Sequence, residues 1–159
     1  MRNQRGFTYM LVLFLVALTG VGLVIAGNVW ATAKQHEREA ELLFAGDAIR
    51  QAIASYYNAG PAQYPPKLDD LIKDPRFPDT RRHLRQLYPD PFIGTTEWAL
   101  IKAPQGGIMG VASVSEDAPL KRTGFRGPDR VFEDQAIRLK EKLRYRDWEF
   151  IYDPALRNN

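Results

Sequence analysis

The chain contains no cysteine. A disulfide framework, a thiol nucleophile and a thiolate metal site are therefore excluded. Histidine occurs twice, as His36 and His83. There is no Gly-Xaa-Ser-Xaa-Gly elbow, no phosphate-binding glycine loop and no His-Glu-Xaa-Xaa-His. The acidic residues Asp69, Asp70, Asp90, Glu116 and Asp117 have no spacing that orients two of them as a hydrolytic pair. These absences argue against an enzyme. Charge is also missing from one long stretch. No Asp, Glu, Lys or Arg lies between Phe7 and Ala33, and 20 of those 27 positions are apolar.

What is present divides the chain. Its 159 residues suffice for one domain, or for a smaller domain with an appendage. Three Trp, seven Tyr and eight Phe can build a core, so the chain is not disordered by composition. The 45% apolar and 26% charged averages conceal one greasy end. As a helix, the uncharged run reaches about 40 Å, against about 30 Å for a hydrocarbon core. Three readings compete for it. A secretory signal has a shorter apolar run before its small-residue cleavage site, which Ala31-Thr32-Ala33 mimics. A plain signal anchor is the second reading.

The third reading starts from what precedes the run. A short basic leader, Met1-Arg2-Asn3-Gln4-Arg5-Gly6, abuts Phe7 and Thr8 at the start of the apolar stretch. This resembles the class III signal of type IV prepilins and type II secretion pseudopilins. The resemblance implies cleavage by a prepilin peptidase after Gly6 and N-methylation of Phe7. Such a cut keeps the apolar helix, first as a membrane anchor and then as the packing core of a filament. The family's usual Glu at the fifth mature residue is replaced here by Leu11. An intramembrane carboxylate is costly and is kept for function, so its absence points to a minor or atypical subunit. Positive charges flank both ends of the run: Arg2 and Arg5 on one side, Lys34, Arg38 and Arg50 on the other. The resemblance, rather than this count, puts the amino end in the cytoplasm.

Beyond Ala33 the pattern predicts that the helix continues. Lys34 to Glu41 are charged helix formers. Leu42, Ala45, Ile49, Ala52 and Tyr56 then recur at spacings of three and four, broadened by Ile53 and Tyr57. Asn58-Ala59-Gly60-Pro61 ends this helix. Asp69 and Asp70 suit the first turn of a short helix. Tyr64-Pro65 with Leu68 and Leu71, and then Asp90-Pro91, resemble the "YP…L…L" segment and "DP" turn of pseudopilin heads. Trp98–Ala103 and Ile108–Val114 predict a hairpin around Pro104-Gln105-Gly106-Gly107. Asp129 is a candidate cap for a helix over 131–143, in which Asp134 and Arg138 are spaced to pair. Trp148–Tyr152 alternates as a third strand, a candidate neighbour of the Trp98 strand.

The expected fold is therefore α+β. A long N-terminal helix, membrane-spanning in its first half, packs on a small antiparallel sheet, with a further helix toward the C-terminus. Residues 1–6 form the leader and 7–33 the transmembrane or filament-core half. Residues 34–159 form a periplasmic head that includes the second half of the long helix. His36 and the basic cluster Arg81-Arg82-His83-Leu84-Arg85 read as solvated surface, and no nucleic-acid motif accompanies them. The main pseudopilin of type II systems binds calcium in a C-terminal loop. The corresponding candidates here are Ser115, Glu116 and Asp117, with Ser113 nearby. Lys121, Arg122 and the lack of an Asp ladder oppose them, and no cofactor is otherwise expected. The implied role is a structural subunit of a type II secretion or type IV pilus-like filament. It would sit as a single-pass protein of the bacterial inner membrane. Its implied partners are other pseudopilins, prepilin peptidase, an inner-membrane assembly platform and lipid. The alternative is a single-span inner-membrane protein with a periplasmic binding or regulatory head.

Overall fold

A computed structural model describes residues 5–155, apart from the side chains of residues 5–7 and 21–28. Helix α1 runs Arg5–Asn58, ending where Gly60 and Pro61 were expected to stop it. The described residues form two compact units, divided between Glu37 and Arg38. In the first, each described large apolar side chain from Tyr9 to Leu18 is exposed, from 47% at Leu11 to 73% at Met10. Thr19 turns its hydroxyl back to the carbonyls of Leu15 and Val16, a local way to satisfy a polar group on a helix. Among the described residues no helix is long and apolar enough to cross a membrane. The uncharged run of the sequence includes Phe7 and residues 21–28, whose side chains lie outside the described set.

The second unit is α+β. Its core gathers Leu42, Ala45, Ile49, Ala52, Ile53 and Tyr56 of α1, so the expected stripe is buried except for the half-buried Tyr57. Against it lies a three-stranded antiparallel sheet. Strand β1 spans Ala99–Lys102, β2 Ile108–Ala112 and β3 Glu149–Ile151. Strand β2 is central, with Leu100 opposite Val111 and Phe150 opposite Val111 on its other side. The expectation that the Trp98 and Trp148 strands are neighbours is corrected: β1 and β3 are the two edges. A hairpin return consumes one side of β2 and leaves its other side as the place for the last strand. The hairpin turn needs Gly106 and Gly107, both at positive φ. At Gly107 an added Cβ would also meet the Tyr64 backbone. The extended Pro65 segment is tied in by its carbonyl, which accepts from Ile108 N–H at 2.8 Å.

Two glycines let backbone approach backbone or ring. At Gly46 on α1 a Cβ would overlap the Phe150 ring, and at Gly110 one would fall 2.7 Å from the Phe150 carbonyl oxygen. Trp148 stacks on Phe132, and both are fully buried. Helix α2 is shorter than expected, Val131–Leu139. Lys140 adopts φ 50° and turns the chain into a 3-10 turn over Lys140–Lys142. Eleven further residues of straight helix would carry Leu143 about 16 Å from Phe132; the turn instead returns Leu143 and Tyr145 to the buried interior. Asp129 caps no helix by its side chain; it sits in a 3-10 turn, Gly127–Arg130, and receives Arg50 at 2.9 Å. Among the described residues no ion pair joins Asp134 and Arg138, in line with the small value of an exposed pair. Asp69 and Asp70 do occupy a short turn, Leu68–Leu71, where Asp70 accepts the Lys67 N–H.

Candidate functional site

Gly6 and Phe7 fall in the first turns of α1, while the Phe7 side chain lies outside the described residues. What the structure describes beyond them is the helix that follows. From Tyr9 to Leu18 its described large side chains are all apolar and exposed. Val29 and Trp30, after the gap at residues 21–28, are 63% and 81% exposed. Leu11, where the resembling family carries Glu, is one apolar residue among these.

The loop proposed for calcium is organised by its own hydrogen bonds. Asp90, fully buried, accepts the Ser113 hydroxyl at 2.6 Å and the Phe92 N–H at 2.9 Å. This fastens the Asp90-Pro91 turn to the end of β2. Ser115 Oγ accepts the Asp117 N–H, and Ser115 and Asp117 lend their carbonyls to Arg146 and Tyr145. Glu116 pairs with Arg146 on the surface. Ser115 Oγ lies 3.4 Å from Asp117 Oδ2, whereas Glu116 is exposed and turned to Arg146, so two of the candidates meet and the third does not join them. Among the described residues no group of three acidic or histidine side chains is placed to hold a metal.

A cluster that sequence reading missed lies where the chain leaves α1. His83, expected on the surface, has a side chain only 1% exposed, and Asp74 is wholly buried. The Arg76 guanidinium grips both Asp74 carboxylate oxygens, with Nη2 at 2.6 Å and Nε at 2.9 Å. Nη2 also donates to the Tyr56 carbonyl at 2.8 Å, and the guanidinium lies 3.5 Å over the Tyr56 ring. His83 bridges Asp74 through Nε2 at 3.1 Å and Ser55 through Nδ1 at 2.8 Å. The Arg76 hydrogen bonds hold the Asp74 carboxyl far below the usual range against its burial, with lesser help from the Arg76 N–H and His83.

Ser55, His83 and Asp74 thus form a hydrogen-bonded chain of the types used in hydrolysis. Arg76 changes what it does. It shares the Asp74 carboxylate with the imidazole, and it satisfies the Tyr56 carbonyl in the last turn of α1. The arrangement is a clamp that fastens the segment around Asp74–Leu84 to the helix end. The signal in sequence was slight: an Asp two residues before an Arg, with a histidine nine residues on. Glu39 was missed for the same reason. It falls in the charged stretch after Ala33, yet it is buried and accepts the Leu120 and Lys121 N–H groups and the Tyr145 hydroxyl.

The head also carries a groove of about 630 Å³, bordered by Arg50 and Ala54 of α1, Val131 and Gln135 of α2, and Ile151 and Tyr152 at β3. Neither Ser55, Asp74 nor His83 lines it. Burial pushes the nearby Asp129 carboxyl up, and the Arg50 charge opposes this. Comparison with protein-family models, with curated proteins and with solved structures finds no match to this chain.

Proposed function

We propose that this chain is a pseudopilin-like structural subunit of a type II secretion or type IV pilus-like filament, cleaved after Gly6 and N-methylated at Phe7. One observation carries the reading. An uncharged run begins directly at Phe7 behind a basic segment ending in Gly, and its described side chains are exposed around the helix. A surface of this kind is stable only when lipid or other apolar helices cover it. In this reading the segment spans the bacterial inner membrane first. It then packs among the helices of neighbouring subunits, with the head in the periplasm. The work is mechanical, and no residue of the chain performs catalysis. The head is independently built around the second half of α1, which suits a domain carried on a helix that changes surroundings.

Leu11 makes the subunit a minor one in this proposal, because an apolar residue there cannot form the ion pair made by the acid of the main subunits. The alternative is a single-span inner-membrane protein with a binding or regulatory head, favoured by the groove beside β3. Mass spectrometry of the amino terminus, on protein made with active prepilin peptidase, separates the two. N-methyl-Phe7 is expected for the wild-type chain and an uncut terminus for Gly6→Val. An intact Met1, or a start near Lys34, in the wild-type chain overturns the pseudopilin reading.

A further inference from the structure

The groove on the head is built around an open strand edge. Tyr152 N–H donates to the Met109 carbonyl at 2.9 Å, and Phe150 faces Val111. Residues bonded to a neighbouring strand alternate along an antiparallel pair. Glu149 and Ile151 therefore turn their N–H and C=O groups away from β2, on the side where no further strand lies among the described residues. No described residue outside β2 bonds to those groups.

Two further features point to an occupant. Gln135 borders the groove, and its Oε1 is buried without a hydrogen-bond partner; an acceptor in that state is normally satisfied. The groove also has a sign. Asp47, Glu149 and Asp153 line it against a single cation, Arg50. That cation is already engaged by Asp47 and by Asp129. Between these charges lie apolar groups from Ala54, Met109, Val131 and Ile151, of which Val131 is 49% exposed.

We propose that the head binds an extended peptide segment of a partner protein by strand addition at β3, and that this segment alternates apolar residues with Lys or Arg. The added backbone meets Glu149 and Ile151, and a donor from the segment reaches Gln135 Oε1. The apolar side chains enter the groove, and the basic ones face Asp47, Glu149 and Asp153. Main-chain bonds supply affinity in this mode, and side-chain alternation supplies selectivity. Strand β3 presents only three residues, about 10 Å of edge, so the contact is short and reversible. The proposal concerns the head alone and stands whether or not the chain is a filament subunit.

The test uses the full chain in a non-ionic detergent and a fluorescently labelled octapeptide of alternating Lys and Val. Anisotropy should show saturable binding, weakened at least tenfold by the double variant Glu149→Lys, Asp153→Lys with unchanged circular dichroism. Hydrogen exchange at the Ile151 amide should slow on peptide addition. A peptide N-methylated on alternate amides should not bind. Absence of saturable binding overturns the proposal, as does equal binding by the charge-reversed variant or by the N-methylated peptide. Binding that emerges only after deletion of residues 156–159 also overturns it, because the groove then belongs to the chain's own end.

Discussion

Asp74 shows how much one side chain can carry. Its ionised form is held by Arg76 and His83 in the fold, so its carboxyl lies below the value of an unfolded chain, about 4. A group with a depressed pKa contributes stability that is fully present above the unfolded value. That stability is lost as pH falls toward the folded one. Acid unfolding that begins near pH 4 should therefore depend on this residue. Asp74→Asn is expected to flatten the stability profile below pH 4, measured by urea unfolding at several pH values. At pH 7 it should cost about 3 kcal/mol, at the low end for a broken buried pair because Arg76 keeps some solvent contact. A stability–pH profile parallel to the wild type would refute this role. Gly46 is a second such residue. A Cβ there overlaps the Phe150 ring, and overpacking of this kind costs roughly 1–3 kcal/mol. Gly46→Ala should lower the urea midpoint, and Phe150→Leu in the same chain should recover part of the loss if the clash is the cause.

At the scale of elements, helix α1 has two surfaces in one run of backbone. From Leu42 onward its apolar residues fall on one face and are buried; from Tyr9 to Leu18 they are exposed wherever described. Period and burial agree in the second half because a folded domain covers a stripe. In the first half there is no stripe to cover, since nearly every position is apolar. Replacing Leu13 and Val16 by Arg places two charges in that half. Each costs about 2.5–3.5 kcal/mol at the centre of an inserting helix. The doubly substituted chain is expected in the soluble fraction after alkaline extraction of membranes, with the wild type in the pellet. Retention of the variant in the pellet would mean that something other than insertion of this run holds the chain there. Helix α2 teaches a different lesson. Its apolar period continues to Leu143, but the helix ends at Leu139, and the turn at Lys140 is what brings Leu143 into the interior.

For the molecule as a whole, the division at Glu37 and Arg38 separates a helix without a core from a domain with one. Every residue of the buried cluster, including the aromatic group around Trp148, belongs to residues 38–159. A fragment of residues 38–159 is therefore expected to unfold cooperatively, within a few degrees of the full chain in detergent, by the near-ultraviolet signal of its buried Trp and Tyr. A broad, non-cooperative transition would show that the first unit contributes to the core. In the proposed filament, the number of copies offers a further check at this scale. Quantitative mass spectrometry of sheared filaments should find few copies of this chain per main subunit, whereas equal abundance contradicts a minor role for a subunit with Leu11.

Sequence alone determined what repeats along the chain. The uncharged run, the α1 stripe from Leu42 to Tyr56, the hairpin about Gly106-Gly107 and the strand at Phe150 were legible. Each depends on local spacing or on one residue's backbone freedom. The tertiary structure decided what depends on residues far apart in the chain. It placed β2 between β1 and β3, buried His83 and Glu39 although both lie among charges, and drew Asp129 to Arg50 across 79 positions instead of leaving it as a cap. A charged residue carries no local mark that distinguishes solvent from a buried partner, because the partner that offsets its desolvation is supplied by another element. For the same reason the acidic groove beside β3 left no trace in the linear pattern: its walls come from four stretches that only the fold brings together.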